Sequence, residues 1–312
     1  MSNKVIHIAL ANPRGFCAGV DRAIEIVENA LEKYGKPIYV RNEVVHNKYV
    51  IESLKQKGAI FVNDLKQVPE NSFLIFSAHG VSKKVKTDTL NYHLKSIDAT
   101  CPLVTKVHKE VNRYLFEGYE ILMIGHSGHP EVEGTLGQEA DSKGKMHLIE
   151  SLEDAKNIAI KNPNKLAFVT QTTLSLDETK EIISVLKHRF PNIQGPKADD
   201  ICYATQNRQD AVKKSLHDAD LFLVVGSKNS SNSNRLKELG DKNNIESYLI
   251  DDMNEFNPQW LNNKHKVLIT AGASAPEVLT QALINTIKTY KQIEIEEIDG
   301  TEENIIFKLP KI

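Results

Sequence analysis

The stretch Asn-Pro-Arg-Gly-Phe-Cys-Ala-Gly-Val, residues 12–20, sets the pattern of this 312-residue chain. A short polar loop carries one cysteine, Cys17, and a helical pattern begins immediately after it. The same arrangement recurs around Cys101 and Cys202, and the chain has these three cysteines in all. We interpret them as thiolate ligands of one shared metal centre, each supplied by an equivalent third of the chain.

The composition is ordinary for a soluble globular protein, with 40% hydrophobic and 26% charged residues. The net charge of −2 gives no electrostatic reason to expect a nucleic acid or a membrane surface as partner. No apolar run approaches the roughly 20 residues of a membrane helix. We therefore expect a cytoplasmic protein, in which thiols stay reduced and an odd number of distant cysteines does not form a disulfide framework.

Short apolar runs typical of buried strands alternate with amphipathic helical patterns. After Cys101, for example, Val104, Val107, Val111 and Leu115 form one helical stripe. The predicted strands are residues 5–10, 37–40, 73–76, 121–124, 166–169, 221–225 and 267–270. Such alternation predicts the α/β class, with mostly parallel sheets flanked by helices. We expect three small, similar α/β domains in a pseudo-threefold arrangement around a central cavity.

Two polar loops follow strands in each third of the chain, at similar distances from its cysteine. His46, His129 and Asn232 lie 29, 28 and 30 positions after their cysteines. The second loops lie 62, 71 and 72 positions after the cysteines, at His79, Thr172 and Ser274. We place the three domains at residues 1–97, 98–197 and 198–282, followed by a tail, residues 283–312, that docks on the body.

The placement of the cysteines favours a reactive centre. A thiol at a helix start has a lowered pKa, which favours the thiolate that a metal binds. Thiolates select zinc or iron-sulfur clusters, and no Cys-x2-Cys pair typical of structural zinc is present. Three isolated thiolates suit a 4Fe-4S cluster that lacks its usual fourth thiolate. One iron would then stay open to substrate. The alternative is that each cysteine is a small buried apolar residue.

The loops supply hydroxyl, amide and imidazole donors at strand ends, where ligands of parallel sheets bind. The chain has no Gly-x4-Gly-Lys-Ser/Thr loop, so a compact anion such as a diphosphate fits better than a nucleoside triphosphate. Each serine or asparagine among them, including those in residues 230–234, can equally be a helix cap. Glu131 can relay protons, or it can simply complement a helix dipole after Pro130.

Long motifs of the chain resemble the 4-hydroxy-3-methylbut-2-enyl diphosphate reductase family. They include Pro-Arg-Gly-Phe-Cys-Ala-Gly-Val (13–20), Ser-Ala-His-Gly-Val-Ser (77–82) and Gly-His-Pro-Glu-Val-Glu-Gly-Thr (128–135). They also include Ile-Cys-Tyr-Ala-Thr-Gln-Asn-Arg-Gln (201–209) and Gly-Ser-Lys-Asn-Ser-Ser-Asn-Ser-Asn-Arg-Leu (226–236). The likeness extends from about residue 5 to residue 285 without a departure at a motif position.

This resemblance implies the last step of the non-mevalonate isoprenoid route. Two electrons and protons would remove the hydroxyl of an allylic diphosphate as water, giving isopentenyl and dimethylallyl diphosphate. Cys17, Cys101 and Cys202 would hold a 4Fe-4S cluster with one open iron, and Glu131, Thr172 and His129 would be catalytic. The residues implied to bind substrate are His46, His79, His129, Thr172, Ser230, Ser231, Asn232 and Ser274. A ferredoxin or flavodoxin type carrier would donate the electrons.

Two other functions are compatible with the cysteine pattern. A zinc-dependent hydrolase would use the three thiolates and a water. A non-enzymatic iron-sulfur sensor would bind the cluster without turning over an allylic diphosphate. The colour of the protein separates the first from a cluster protein, and turnover separates the second.

Overall fold

The computed structural model describes residues 5–140 and 142–311. Residues 1–4, 141 and 312, which the predicted domain bounds include, lie outside the described residues. Contacts group the chain into two compact units. The first unit comprises the chain up to Val20, residues 46–50 and residues 203–306. The second unit comprises residues 21–45, 51–202 and the chain from Phe307 onward.

Strands and helices alternate along most of the described chain. The strands are β1 (Ile6–Ala11), β2 (Ile38–Arg41), β3 (Ala59–Val62), β4 (Phe73–Phe76), β5 (Lys95–Asp98), β6 (Glu120–Ile124), β7 (Lys145–Ile149), β8 (Leu166–Thr170), β9 (Leu221–Val225), β10 (Glu246–Ile250), β11 (Lys266–Ala271) and β12 (Ile293–Ile298). The helices are α1 (Ala18–Tyr34), α2 (Lys48–Lys57), α3 (Lys83–Asn91), α4 (Pro102–Phe116), α5 (Pro130–Leu136), α6 (Leu152–Asn157), α7 (Leu176–Arg189), α8 (Tyr203–Ser215), α9 (Ser231–Lys242) and α10 (Glu277–Tyr290).

The first unit is built on one parallel sheet of order β10-β9-β11-β1-β12. The strand β9 is apolar and buried throughout, and β1 and β11 are buried except near their N-terminal ends, because both faces of the sheet are covered. In β1, Ile6, Ile8 and Leu10 pack into one core cluster, whereas Ala9 and Ala11 pack into the cluster on the other side. This alternation is the period of two that a strand imposes on its side chains. The C-terminal strand β12 completes the sheet beside β1.

The second unit contains two parallel sheets, of order β3-β2-β4-β5 and β7-β6-β8. The helix α4 packs its predicted stripe against β6 and β8. Val104, Val107, Val111 and Leu115 are all buried. Each such side chain contributes roughly 1.5–3 kcal/mol when it is fully removed from water. Pro102 occupies the first turn of α4, where a missing N–H costs nothing.

The three sheets share one strand order. In the second unit, β2 lies between β3 and β4, and β6 lies between β7 and β8; in the sheet of the first unit, β9 lies in the same way between β10 and β11. A further extended segment lies beside each third strand. It is β5 beside β4, the residue Gln194 beside β8, and β1 beside β11. Each of these segments leads directly toward a cysteine. The first strand along the described chain, β1, therefore lies in the same sheet as β9, β10 and β11.

The predicted α/β class with parallel sheets is confirmed. The seven strands expected from apolar runs are present as β1, β2, β4, β6, β8, β9 and β11. The division into domains at residues 97, 197 and 282, and their arrangement around a cavity, stay predictions. In the described part of the chain, we find no helix that combines the length and the apolar character needed to cross a membrane.

Candidate functional site

Each cysteine lies at the start of a helix, as the sequence predicts. Cys101 is the N-terminal cap of α4. Cys17 directly precedes α1, and Cys202 directly precedes α8. All three are half-buried. Backbone N–H groups and the positive end of the helix dipole therefore lie close to each thiol, which favours its deprotonated form.

The second polar loop of each third holds a cysteine by its main chain. In the first unit, the N–H of Cys17 donates to the carbonyl of Ala273 at 3.2 Å, beside Ser274. In the second unit, the N–H of Cys101 donates to the carbonyl of Ala78 at 2.9 Å, beside His79. There too, the N–H of Cys202 donates to the carbonyl of Thr172 at 3.0 Å. The predicted substrate loops are thus fixed against the loops that carry the predicted metal ligands.

Polar side chains of the first unit gather at the N-terminus of α9. Ser230 caps this helix by accepting the N–H of Ser233, and its Oγ lies 3.4 Å from the Oγ of Ser274. The hydroxyl of Ser274 donates to the carbonyl of His46 at 2.8 Å. Ser231 is the first residue of the helix and is half-buried. Hydroxyls at the positive end of a helix are suited to an anion.

Asn232 has a structural contact of its own in this cluster. Its Oδ1 accepts the N–H of Ala273 at 2.8 Å, and its Nδ2 lies 3.4 Å from the hydroxyl of Thr205. The side chain is 3% exposed. Asn232 therefore ties the start of α9 to the loop that receives the N–H of Cys17.

Glu131 and Thr172 form a buried pair in the second unit. The N–H of Thr172 donates to Oε1 of Glu131 at 2.7 Å, and the Thr172 hydroxyl donates to Oε2 at 2.9 Å. Glu131 is 3% exposed. Burial raises the pKa of Glu131 to about 7, although the hydrogen bonds from Thr172 lower it. The negative charge of Asp200 adds to the increase. A carboxyl group with this pKa can both hold and release a proton near neutral pH.

Two histidines lie in the same unit. Nδ1 of His129 accepts the N–H of Glu131 at 3.2 Å, so the neutral ring carries its proton on Nε2. His79 meets His129 edge to face, with ring centroids 5.5 Å apart. His129 also caps α5, the short helix that carries Glu131. The first turn of α5 therefore sets both the position of the Glu131 carboxyl group and the tautomer of the His129 imidazole.

Sequence reasoning missed two residues that support Glu131. The buried hydroxyl of Thr135 donates to the carbonyl of Glu131 at 2.8 Å, and Nε2 of His108 lies 3.1 Å from that hydroxyl. Burial lowers the pKa of His108 to about 4, so the ring is neutral and can donate to Thr135. Thr135 stands inside the motif of residues 128–135, where the spacing of four from Glu131 predicts such a contact along a helix.

Replacing Glu131 by Gln is expected to change how stability depends on pH. The ordinary pKa of this carboxyl is 4.5, and the folded value is about 7. The Glu131 carboxyl ionises at a lower pH in the unfolded chain than in the folded protein. Its contribution to the stability of wild type is therefore lost as pH rises from 4.5 to about 7. The free energy of unfolding of the Gln variant, relative to that of wild type, should increase by about 2 to 3 kcal/mol from pH 5 to pH 8. Urea unfolding of metal-stripped protein at both pH values measures this gain.

The matched control is Glu133→Gln, which changes an exposed carboxylate on the same helix. Its free energy of unfolding should follow that of wild type at both pH values. An equal pH response in the two variants would contradict the buried, partly protonated state of Glu131.

The predicted site residues divide between the two units. Those in the first unit are Cys17, His46, Ser230, Ser231, Asn232 and Ser274. Those in the second unit are His79, Cys101, His129, Glu131, Thr172 and Cys202. Among the described residues, no group of three or more histidine, cysteine, aspartate or glutamate side chains is gathered for a single metal ion. The shared metal centre stays a prediction at this point.

Comparison with known proteins gives a consistent family likeness. The profile of the LytB protein matches residues 8–288. The 4-hydroxy-3-methylbut-2-enyl diphosphate reductase of Pseudomonas putida is 57% identical over 307 residues, covering 98% of each chain. The reductase of the same name from Nitrosomonas europaea is 57% identical over 313 residues, covering 98% of this chain and 97% of its own.

Solved structures give the same result. The structure of the E-1-hydroxy-2-methyl-but-2-enyl-4-diphosphate reductase from Plasmodium falciparum is 41% identical and has a TM-score of 0.92, with 99% of this chain and 96% of that chain covered. A second structure, described as (E)-4-hydroxy-3-methyl-but-2-enyl diphosphate reductase, the terminal enzyme of the non-mevalonate pathway, is 32% identical. Its TM-score is 0.64, and the alignment covers 91% of this chain and all of the other.

Proposed function

This chain belongs to the LytB protein family, and from that premise we propose that it is a 4-hydroxy-3-methylbut-2-enyl diphosphate reductase. In the proposed reaction, two electrons and two protons convert the allylic alcohol to an alkene. The carbon-oxygen bond breaks, one proton leaves with the oxygen as water, and the other is added to carbon. The products are isopentenyl and dimethylallyl diphosphate. The observation that carries the proposal is a relative of this name that is 57% identical over 98% of both chains.

The donor set fits a 4Fe-4S cluster. Cys17, Cys101 and Cys202 each lie at the start of a helix, which favours thiolates, and each is partly exposed. In such a cluster each thiolate binds a different iron, so the sulfurs need not gather round one ion. We propose that these three residues hold the cluster. When bound, it would supply electrons and one iron without a protein ligand for the substrate hydroxyl.

The cluster of donors at the start of α9 supports binding of the diphosphate. Hydroxyl and amide groups at this helix N-terminus come from Ser230, Ser231, Asn232 and Ser274, and Nδ1 of the His46 imidazole lies 3.4 Å from Nδ2 of Asn229 in the loop before the helix. We assign the diphosphate to this surface, together with His79 and His129. A multiply charged anion gains from each neutral donor because charge-assisted hydrogen bonds are about twice as strong as neutral ones.

The buried pair of Glu131 and Thr172 supports a role in proton transfer. The hydroxyl of Thr172 is 2.9 Å from Oε2 of Glu131, so a proton can pass from the carboxyl group through this hydroxyl. A pKa of about 7 keeps a proton on Glu131 in about half of the molecules at neutral pH. His129 fixes the main chain of Glu131 and is a second donor toward the substrate.

The reaction needs an external electron source, for which we propose a ferredoxin or flavodoxin type carrier. The substrate is a small molecule, and nucleic acids and membranes have no part in the proposed reaction. A cytoplasmic location remains part of the proposal.

Anaerobic turnover tests the proposal and its rivals together. Protein prepared without oxygen is incubated with 4-hydroxy-3-methylbut-2-enyl diphosphate and a reduced viologen, and both alkene diphosphates are quantified. We expect both products, with one molecule of product formed for every two electrons consumed. Release of phosphate without reductant would instead indicate a zinc hydrolase. A bound cluster without product would indicate a sensor.

Replacing Ser274 by Ala is expected to raise KM about tenfold or more with kcat changed far less. Its hydroxyl belongs to the proposed diphosphate surface and would turn from the carbonyl of His46 to the anion, and a hydrogen bond to a charged group contributes roughly 1.5–3 kcal/mol. Initial rates over a range of substrate concentrations separate the two constants. Ser247→Ala, on β10 outside this cluster, is the control, and an unchanged KM in the Ser274 variant would remove that residue from substrate binding.

A further inference from the structure

A buried guanidinium holds the main chain directly before Cys17. Arg208, on α8, has no exposed surface. Its Nε and Nη2 donate to the carbonyl of Gly15 at 3.1 Å and 2.7 Å, and Nη2 also donates to the carbonyl of Phe16 at 3.1 Å. Two consecutive peptide planes are therefore fixed by one side chain.

A second arginine does the same before Cys101. Nη1 of Arg22, on α1, donates to the carbonyls of Ala99 and Thr100 at 3.4 Å and 3.1 Å. These are the two residues that directly precede Cys101. Again one cation restrains two consecutive peptide units on the approach to a cysteine.

A lysine supplies the third contact of this kind, before Cys202. Nζ of Lys106, on α4, donates to the carbonyls of Ala198 and Asp199 at 2.9 Å and 3.3 Å. It also lies 3.5 Å from Oδ1 of Asp200, whose side chain is fully buried. Lys106 therefore holds the segment that leads into Cys202.

The three contacts follow one rule along the chain. Each cation lies on the helix that follows one cysteine, five or six positions after it. Each donates to carbonyls that precede the next cysteine, and Arg208 of the last helix returns to the loop of Cys17. We call these three contacts the cationic clasps.

Arg22 and Arg208 themselves form hydrogen bonds to residues near the C-terminus, Lys308 and Glu303. Nη1 of Arg208 donates to Oε1 and Oε2 of Glu303 at 3.0 Å and 3.3 Å, and the amide of Asn207 donates to the same carboxylate. Nε of Arg22 donates to the carbonyl of Lys308 at 2.9 Å. A buried guanidinium requires such a counter-charge, because an unpaired buried cation is strongly unfavourable.

We propose that Arg22, Lys106 and Arg208 are positioning residues that fix the loops presenting the three cluster thiolates. The inference rests on the proposed function, since it assumes that these thiolates bind one cluster. Residues that orient metal ligands from outside typically change metal affinity about 10–100-fold when they are removed. The clasps act on the backbone. Through each clasp, the placement of one thiolate depends on the helix that follows a different cysteine.

The loop of Cys17 shows why a clasp is needed. Gly15 has φ +72°, a conformation that glycine adopts readily and other residues avoid. A Cβ at this position would lie 3.2 Å from the carbonyl oxygen of Ala275. The chain thus requires a freely rotating residue two positions before a metal ligand, and the hydrogen bonds from Arg208 remove that freedom.

The test uses Lys106→Met, because this side chain is 40% exposed; the change also removes the cation beside the buried carboxylate of Asp200, so the stability of the variant is measured as well. Lys109→Met is the matched control, since it removes the same charge from an exposed position on the same helix. Both variants are prepared anaerobically. The decay of the cluster absorption after exposure to air, the electron paramagnetic resonance of the reduced protein, and urea unfolding after removal of the metal are then measured.

We expect the cluster of Lys106→Met to decay about tenfold faster than that of wild type, with an altered resonance spectrum. Lys109→Met should match wild type in both readouts. Metal-stripped Lys106→Met should unfold at a lower urea concentration than wild type, because Asp200 loses its cation, whereas the altered resonance spectrum reports on the cluster itself. Equal decay and spectra in the two variants would overturn the clasps while leaving the proposed function intact. A wild type without a cluster would overturn both.

A conservative pair tests the arginine clasp. Arg22→Met should shorten the cluster lifetime, and Arg22→Lys should restore part of it, because an ammonium group can still donate to the carbonyl of Thr100. Identical lifetimes for wild type and Arg22→Met would contradict the proposal at this position.

Discussion

Replacing any one of Cys17, Cys101 and Cys202 by Ser is expected to remove the whole cluster and lower turnover by more than about 100-fold. The reason is that the three thiolates are proposed to share one inorganic core. The loss of a single ligand leaves two thiolates, which hold such a core poorly. Iron and sulfide counts on anaerobically purified variants, with turnover of the allylic diphosphate, check this expectation.

The pattern across the three variants is more informative than any one of them. A shared cluster predicts equal and nearly complete losses of iron in all three. Independent sites would instead lose about a third of the metal in each variant, and a structural cysteine would lose none. Urea unfolding of the metal-stripped variants is the control, since serine is expected to leave the fold in place.

Replacing Glu131 by Gln is expected to lower turnover about 10²- to 10⁴-fold while the cluster is retained. The amide keeps the shape of the carboxyl group, and the Thr172 hydroxyl can reverse its hydrogen bond to accept from it. The exchangeable proton with a pKa of about 7 is lost. Turnover, iron content and the absorption spectrum are compared with those of wild type.

Glu133→Gln is again the control, because it removes a carboxylate two residues away on the exposed side of the helix. It should keep its activity. Turnover of Glu131→Gln close to that of wild type would remove Glu131 from the proton path. Loss of the cluster in that variant would show that Glu131 acts on the metal centre.

The parts of the fold that were predictable are those with strong periodicity. The stripe from Val104 to Leu115 gave α4, and all four of its apolar residues are buried. The strand β5 was missed, because Lys95-Ser-Ile-Asp98 is polar and largely exposed at the edge of its sheet. The C-terminal strand β12 was not predicted as a strand, because its three glutamates obscure the pairing with β1.

The candidate site likewise has features that could be predicted from the local sequence and features that could not. The cysteines could be placed before helices because a loop, a cysteine and an apolar stripe recur locally. The pairing of Glu131 with Thr172 joins residues 41 positions apart, and the clasp of Arg208 joins residues 193 apart. Such contacts depend on how strands pair. The sequence pattern of one helix therefore cannot indicate which carbonyl its arginine will hold.

The most direct measurement of the central claim is the iron and sulfide content of protein purified without oxygen, taken with its absorption spectrum. We predict about four irons and four sulfides per chain and a broad absorption near roughly 400 nm. A colourless protein with one zinc per chain, or iron without sulfide, would contradict the account.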